Sequence, residues 1–135
     1  MENRVYRSQK TASQILKNYI RHLTIEDLRA RGAALEPTEE QILENTYDNM
    51  NEVRCGKVET DIAPAYSRNY ETKSVAMYFE DFEGFTGWIG WTYMSGGGKH
   101  GCPELYDWIS DAYFLDLVSE KEVVIIKRTF EKAEV

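Results

Sequence analysis

The apolar residues of this chain change their spacing part-way along it, and that change constrains the fold more than any other feature. From Ile15 to Val53 they recur every three or four positions, the period of helices that bury one side. Over 71–79 they turn to the alternation of strands, with Val75, Met77 and Phe79 on one parity and Ala76 and Tyr78 on the other. The predicted class is α+β: a helical N-terminal half packed on a small, mainly antiparallel sheet, with β-β-α-β order in the second half. With 135 residues, 42% of them apolar, the chain can build one real core, and residues 1–135 are read as a single domain.

Local signals place the elements. Ile15, Leu16, Tyr19, Ile20 and Leu23 form one stripe of a helix over 11–23, with Lys10, Lys17 and Arg21 on the other side. Thr24 followed by Asp27 resembles an N-cap, so a short second helix is expected over 25–31, closed by Gly32. Thr38 and Gln41 have capping-box spacing and open a helix over 38–54 that Gly56 ends. Residues 56–70 hold Pro64 and no sustained period, and read as a connecting loop with edge-strand character over 57–62. Strands over 71–79 and 88–94 form a hairpin about Asp81, Glu83, Gly84 and Gly87. Leu105, Trp108, Ile109, Ala112, Phe114 and Leu115 suit a third helix over 103–118. The run Val-Val-Ile-Ile-Lys-Arg-Thr-Phe at 123–130 is apolar on both parities at its start, which predicts a central strand, and 131–135 reads as a frayed tail.

Charge is uneven. Residues 1–34 carry seven basic and three acidic side chains, whereas the remainder has a net charge of −11, giving −7 for the whole. Such a body repels a phosphate backbone at long range, so nucleic-acid binding is disfavoured except through a local patch at Lys10, Lys17 and Arg21, extended by Arg4, Arg7, Arg29 and Arg31. The plainer reading is that these bases neutralise acids within the molecule or between copies of it, which permits a homo-oligomer. No apolar run approaches a membrane span, and the first residues lack the apolar centre of a signal peptide, so a cytoplasmic protein is expected. Cys55 and Cys102 form neither a CxxC pair nor a zinc set and are expected as reduced thiols, with no metal or other cofactor.

Two segments carry chemical possibilities. Ser95-Gly96-Gly97-Gly98-Lys99-His100-Gly101 joins a predicted strand to a predicted helix, an arrangement that can offer backbone amides, a cation and a helix dipole to an anion. Gly97, Gly98, Lys99 and His100 are therefore the candidate anion-binding residues, with Asp107 or Asp111 able to orient His100. The spacing is not that of a P-loop or of GxGxxG, and the plainer role is a turn needing positive φ. The second segment, residues 80–122, holds nine acids and two lysines together with Trp88, Trp91, Tyr93, Tyr106, Trp108, Tyr113 and Phe114. Acids alone ordinarily solvate a face and aromatics ordinarily fill a core. Together they suit contact with a basic protein surface. Glu104, Asp107 and Asp111 should lie along one side of the third helix, and Glu80, Asp81, Glu83, Trp88 and Trp91 complete the expected partner-binding set.

The expected function is a noncatalytic acidic binding protein, an inhibitor or adaptor that engages a basic surface of a nucleic-acid-handling protein. Its size, acidity and lack of a catalytic signature are compatible with the small inhibitors that viruses of bacteria direct at host enzymes. No residue is assigned a catalytic role. The alternative is a small enzyme or ligand-binding domain that holds an anionic group at the Gly96–Gly101 loop.

Overall fold

The computed structural model describes residues 10–32, 35–121 and 123–133. Helix α1 spans Ala12–Ala30, and its first turn is closed by a capping box in which Thr11 Oγ1 accepts from the Gln14 amide and Gln14 returns the bond to the Thr11 amide. Ala12, Ile15, Leu16, Ile20, Thr24 and Leu28 make its buried stripe. The expected break at Thr24 is absent, and one continuous helix replaces two. The Thr24 hydroxyl donates to the Ile20 carbonyl four residues back at 2.9 Å and accepts from the Asn49 amide group at 3.1 Å, so it is satisfied inside the helix and needs no cap position.

The helix expected over 38–54 divides into α2 (Glu39–Glu44) and α3 (Thr46–Arg54). The Thr38–Gln41 capping box opens it as predicted. The division falls at Asn45, whose side-chain amide donates to the Gln41 carbonyl at 2.7 Å and draws the local backbone away from helical geometry.

The sheet has four antiparallel strands in the order β1 (Val58–Glu59), β2 (Glu71–Phe82), β3 (Phe85–Ser95) and β4 (Tyr113–Leu115). The β2–β3 hairpin is longer than predicted and turns at Glu83–Gly84, with a bulge between Phe79 and Phe82. Its register pairs Val75 with Trp91 and Met77 with Ile89 on one face, and Ser74 with Thr92, Ala76 with Gly90 and Tyr78 with Trp88 on the other. The first face meets Ile15, Leu16 and Ile20 of α1 in the main core, joined by Val53, Trp108 and Ile109. Tyr19 sits edge-on to Phe79 and Phe82, with ring centroids 5.1 and 5.5 Å apart.

Two expectations for the second half are corrected. The helix over 103–118 is only a 3₁₀ turn at Pro103–Leu105, followed by a turn through Ile109 and then β4. Asp107 accepts from both the amide and the hydroxyl of Ser110, a local arrangement that competes with helix, while Phe114 packs on Phe85 and its neighbours pair along β3. The run 123–130 is not a central strand. β2 lies between β1 and β3, and β3 lies between β2 and β4, so the central places are filled and 123–130 lies outside the sheet with Val123–Ile126 and Phe130 exposed. The β, β, helical-turn, β order survives with its last strand at 113–115. Of the tail expected at 131–135, the last two residues lie outside the described residues, as do Arg4 and Arg7.

Candidate functional site

The side of the sheet turned away from α1 is the less covered one. At Gly90 the backbone passes so close beneath β4 that a Cβ there would stand 2.7 Å from Leu115 Cδ1 and 2.9 Å from the Tyr113 ring. That approach sets Leu115 over β3, opposite Trp88. On the other flank, Val58 of β1 pairs with Ala76 of β2. Val58, Ala76, Trp88 and Leu115 thus line a groove of about 580 Å³ that crosses all four strands, walled by residues 58–62 and 115–119. Ile62, Leu117 and Val118 add apolar surface, and Glu59, Asp61 and Asp116 add carboxylates without a base among the lining residues. Trp88 packs against Tyr78 with ring centroids 5.3 Å apart and the rings tilted by 58°, and Tyr78 remains 47% exposed.

The expected partner-binding residues divide between this side and the other. Trp88 lines the groove, and Glu80 is exposed farther along β2. Trp91 is a correction: it points to the opposite face, is fully buried against Trp108 at 4.9 Å and donates its indole N–H to the Arg54 carbonyl at 2.8 Å, so it is core. Glu83, at the hairpin turn, reaches the N-terminal end of the helical layer, where it accepts from Lys10 at 3.0 Å and from Asn18 of α1 at 2.9 Å; the Lys10 ammonium, then the Asn18 amide, hold its carboxyl below the usual range. Asp81 is exposed at the bulge with φ 49° and its amide donates to Thr86 Oγ1.

Glu104, Asp107 and Asp111 form no helical ridge, because Glu104 sits in the short 3₁₀ turn and no α-helix runs on through Asp107 and Asp111. Asp107 is held below the usual carboxylate range by the Ser110 hydroxyl and then its amide, with a smaller contribution from Lys17 of α1. Asp111 accepts from the Tyr106 hydroxyl, and burial followed by that bond pushes the phenol up to about 12. These acids therefore lie on the connection that covers α1, through Ser13 Oγ to the Ile109 carbonyl, and not at the groove. The basic helix is neutralised in the same way. Arg21 grips Glu39 with both terminal guanidinium nitrogens, which raises the arginine and lowers the carboxyl, and Arg31 lies 3.6 Å from Asp27. A stripe built on Lys10, Lys17 and Arg21 is thus partly spent on Glu83 and Glu39.

The glycine loop is an exposed turn held at one point by Tyr70. Gly96, Gly97 and Gly98 all have positive φ, and a Cβ on Gly97 would strike the Tyr70 ring at 2.3 Å. The Gly101 amide donates to the Gly98 carbonyl and the Cys102 amide to the Tyr70 hydroxyl, so these two amides at the end of the loop are engaged. Lys99 and His100 are exposed at its tip, and the three-residue 3₁₀ turn after it supplies no helix dipole of consequence. Among the described residues no three His, Cys, Asp or Glu side chains gather as they do around a metal ion, and no helix is long and apolar enough to cross a membrane. Both cysteines are free and exposed.

Glu59, Asp61 and Asp116, the acids at the groove, were not singled out by spacing in the sequence. For Glu59 and Asp61 the signal is the alternation Val58-Glu59-Thr60-Asp61-Ile62, apolar side chains at both ends with acids between them, inside a segment read chiefly as a loop, whereas Asp116 is one of the nine acids of residues 80–122. Compared with family models, curated proteins and solved structures, the chain matches none.

Proposed function

We propose that this protein is a noncatalytic binding protein, an inhibitor or adaptor, whose open sheet face engages a basic surface of another protein. The observation that carries the reading is the Tyr78–Trp88 ring pair beside an apolar groove whose lining holds three carboxylates and no base. Aromatic anchors of this kind supply contact area at little cost in side-chain freedom, and the surrounding acids steer and select a positively charged partner. Binding rather than turnover is supported by the lining itself, which contains neither histidine nor cysteine to pair with its acids. The partner surface that fits is one where Lys or Arg flanks exposed apolar side chains, as on many proteins that handle nucleic acids. The Asp107 and Asp111 carboxylates, committed to Ser110 and Tyr106, have no part in this reading.

Selection of random displayed peptides on the immobilised protein tests it. The expected winners combine basic and apolar residues, bind more weakly as salt rises, and lose about tenfold or more in affinity to Trp88→Ala and to Asp116→Lys. Winners without basic residues, or winners indifferent to both substitutions, would refute the assignment of the groove.

A further inference from the structure

We infer that the groove accepts the 123–130 arm of a second copy of this chain, and that two copies exchange arms. The inference rests on the reading of the groove as a polypeptide-binding surface and names its occupant. Val123-Val124-Ile125-Ile126 are 68–86% exposed, followed by Lys127 and Arg128 and then by Phe130 at 84%. A run of β-branched side chains left outside the core is a strand without a sheet, and a contiguous exposed apolar run of this kind marks a contact segment.

The groove has the complementary chemistry. It presents Val58, Ile62, Trp88 and Leu115 to apolar side chains, and Glu59, Asp61 and Asp116 to a Lys-Arg pair. Extended segments bind sheets readily because alternate side chains can enter one surface while the others face away. The arm also starts in the right place. Leu117, Val118 and Ser119 line the groove and Val123 follows four residues later, yet the arm lies outside the groove of its own chain. Two copies that face each other across a two-fold axis can therefore each give an arm and receive one, which closes the assembly as a dimer.

Sedimentation equilibrium of the full chain across a wide concentration range tests this. Wild type should form a dimer. Ile125→Asp combined with Ile126→Asp should weaken it by at least about tenfold, as should Trp88→Ala. The arm substitutions fall on exposed side chains, so circular dichroism should show an unchanged fold. Mixing the two variants should restore association in part, because the arm of one and the groove of the other are both intact. A wild-type chain that stays monomeric overturns the exchange, whether or not its arm is protected on its own body. If such a monomer still binds an unrelated basic and apolar peptide through Trp88, the groove reading stands alone; if it binds none, both fall.

Discussion

The two faces of the β2–β3 hairpin are made from neighbouring residues of the same strands and have opposite fates. Val75, Met77, Ile89 and Trp91 lie under α1 with no more than 6% of their surface exposed, whereas Tyr78 and Trp88 one position away stand beside an open groove. The difference comes from what the rest of the chain supplies. α1 covers the first face, while the second is bordered only by the short edge strands β1 and β4 and by the segments that follow them, residues 60–62 and 116–119. Aromatic content alone therefore says little about use, since Trp88 and Trp91 differ mainly in which way the strand turns them.

Substitution should break this contrast most sharply at the tryptophans. Trp91→Ala removes a fully buried ring and its N–H bond and should cost about 3–5 kcal/mol in a urea titration. Trp88→Ala should cost about 1 kcal/mol or less in the same titration and act instead on binding. Equal losses at the two sites would mean that the faces are equally covered.

Acid should act on the α1 side, where Glu83, Glu39 and Asp107 are all held below their usual range by Lys10, Arg21 and Ser110 respectively. The unfolded chain takes up protons on these groups at a higher pH than the folded one does. Their contribution is thus complete above the unfolded values near about pH 4–4.5 and is lost as pH falls through the folded ones. Denaturation midpoints measured downward from pH 6 should fall over that window, and less steeply in Glu83→Gln. Alkali should act through Tyr106. The unfolded Tyr106 phenol ionises near 10 and the folded one at about 12, so the neutral form stabilises fully below pH 10 and its contribution disappears between these values. Tyr106→Phe should flatten that limb of the stability curve.

The smallest effect lies beneath the open face. Ser74 is buried there with no hydrogen-bond partner for its hydroxyl, so Ser74→Ala should leave stability within about 1 kcal/mol of wild type, on the stabilising side.

Much of the fold was legible because periodicity and caps act locally. The Thr38 capping box, the start of α1, the hairpin and the weak edge strand near Val58 all follow from residues adjacent in sequence. The misread segments depend on distant partners or on local competition. Residues 103–118 have helical apolar spacing, but Asp107 and Ser110 satisfy the backbone in another way and β3 recruits Tyr113–Leu115 as a strand. Residues 123–130 have the composition of a buried strand, and composition cannot reveal that both neighbours of each inner strand are already in place. The groove was legible only at Trp88, because its acids come from β1, the loop after it and the residue after β4, which only the sheet brings together.

The end of α3 is tied to β3 in both directions. Trp91 donates to the Arg54 carbonyl, and the Arg54 guanidinium donates at 2.8 Å to the Met94 carbonyl while lying 4.7 Å above the Tyr93 ring. Neither the helices nor the sheet can open alone without breaking this double tie and exposing the core they share. Heat should therefore melt both in a single calorimetric transition, and the Trp91 indole proton should exchange with solvent only as fast as the whole molecule unfolds.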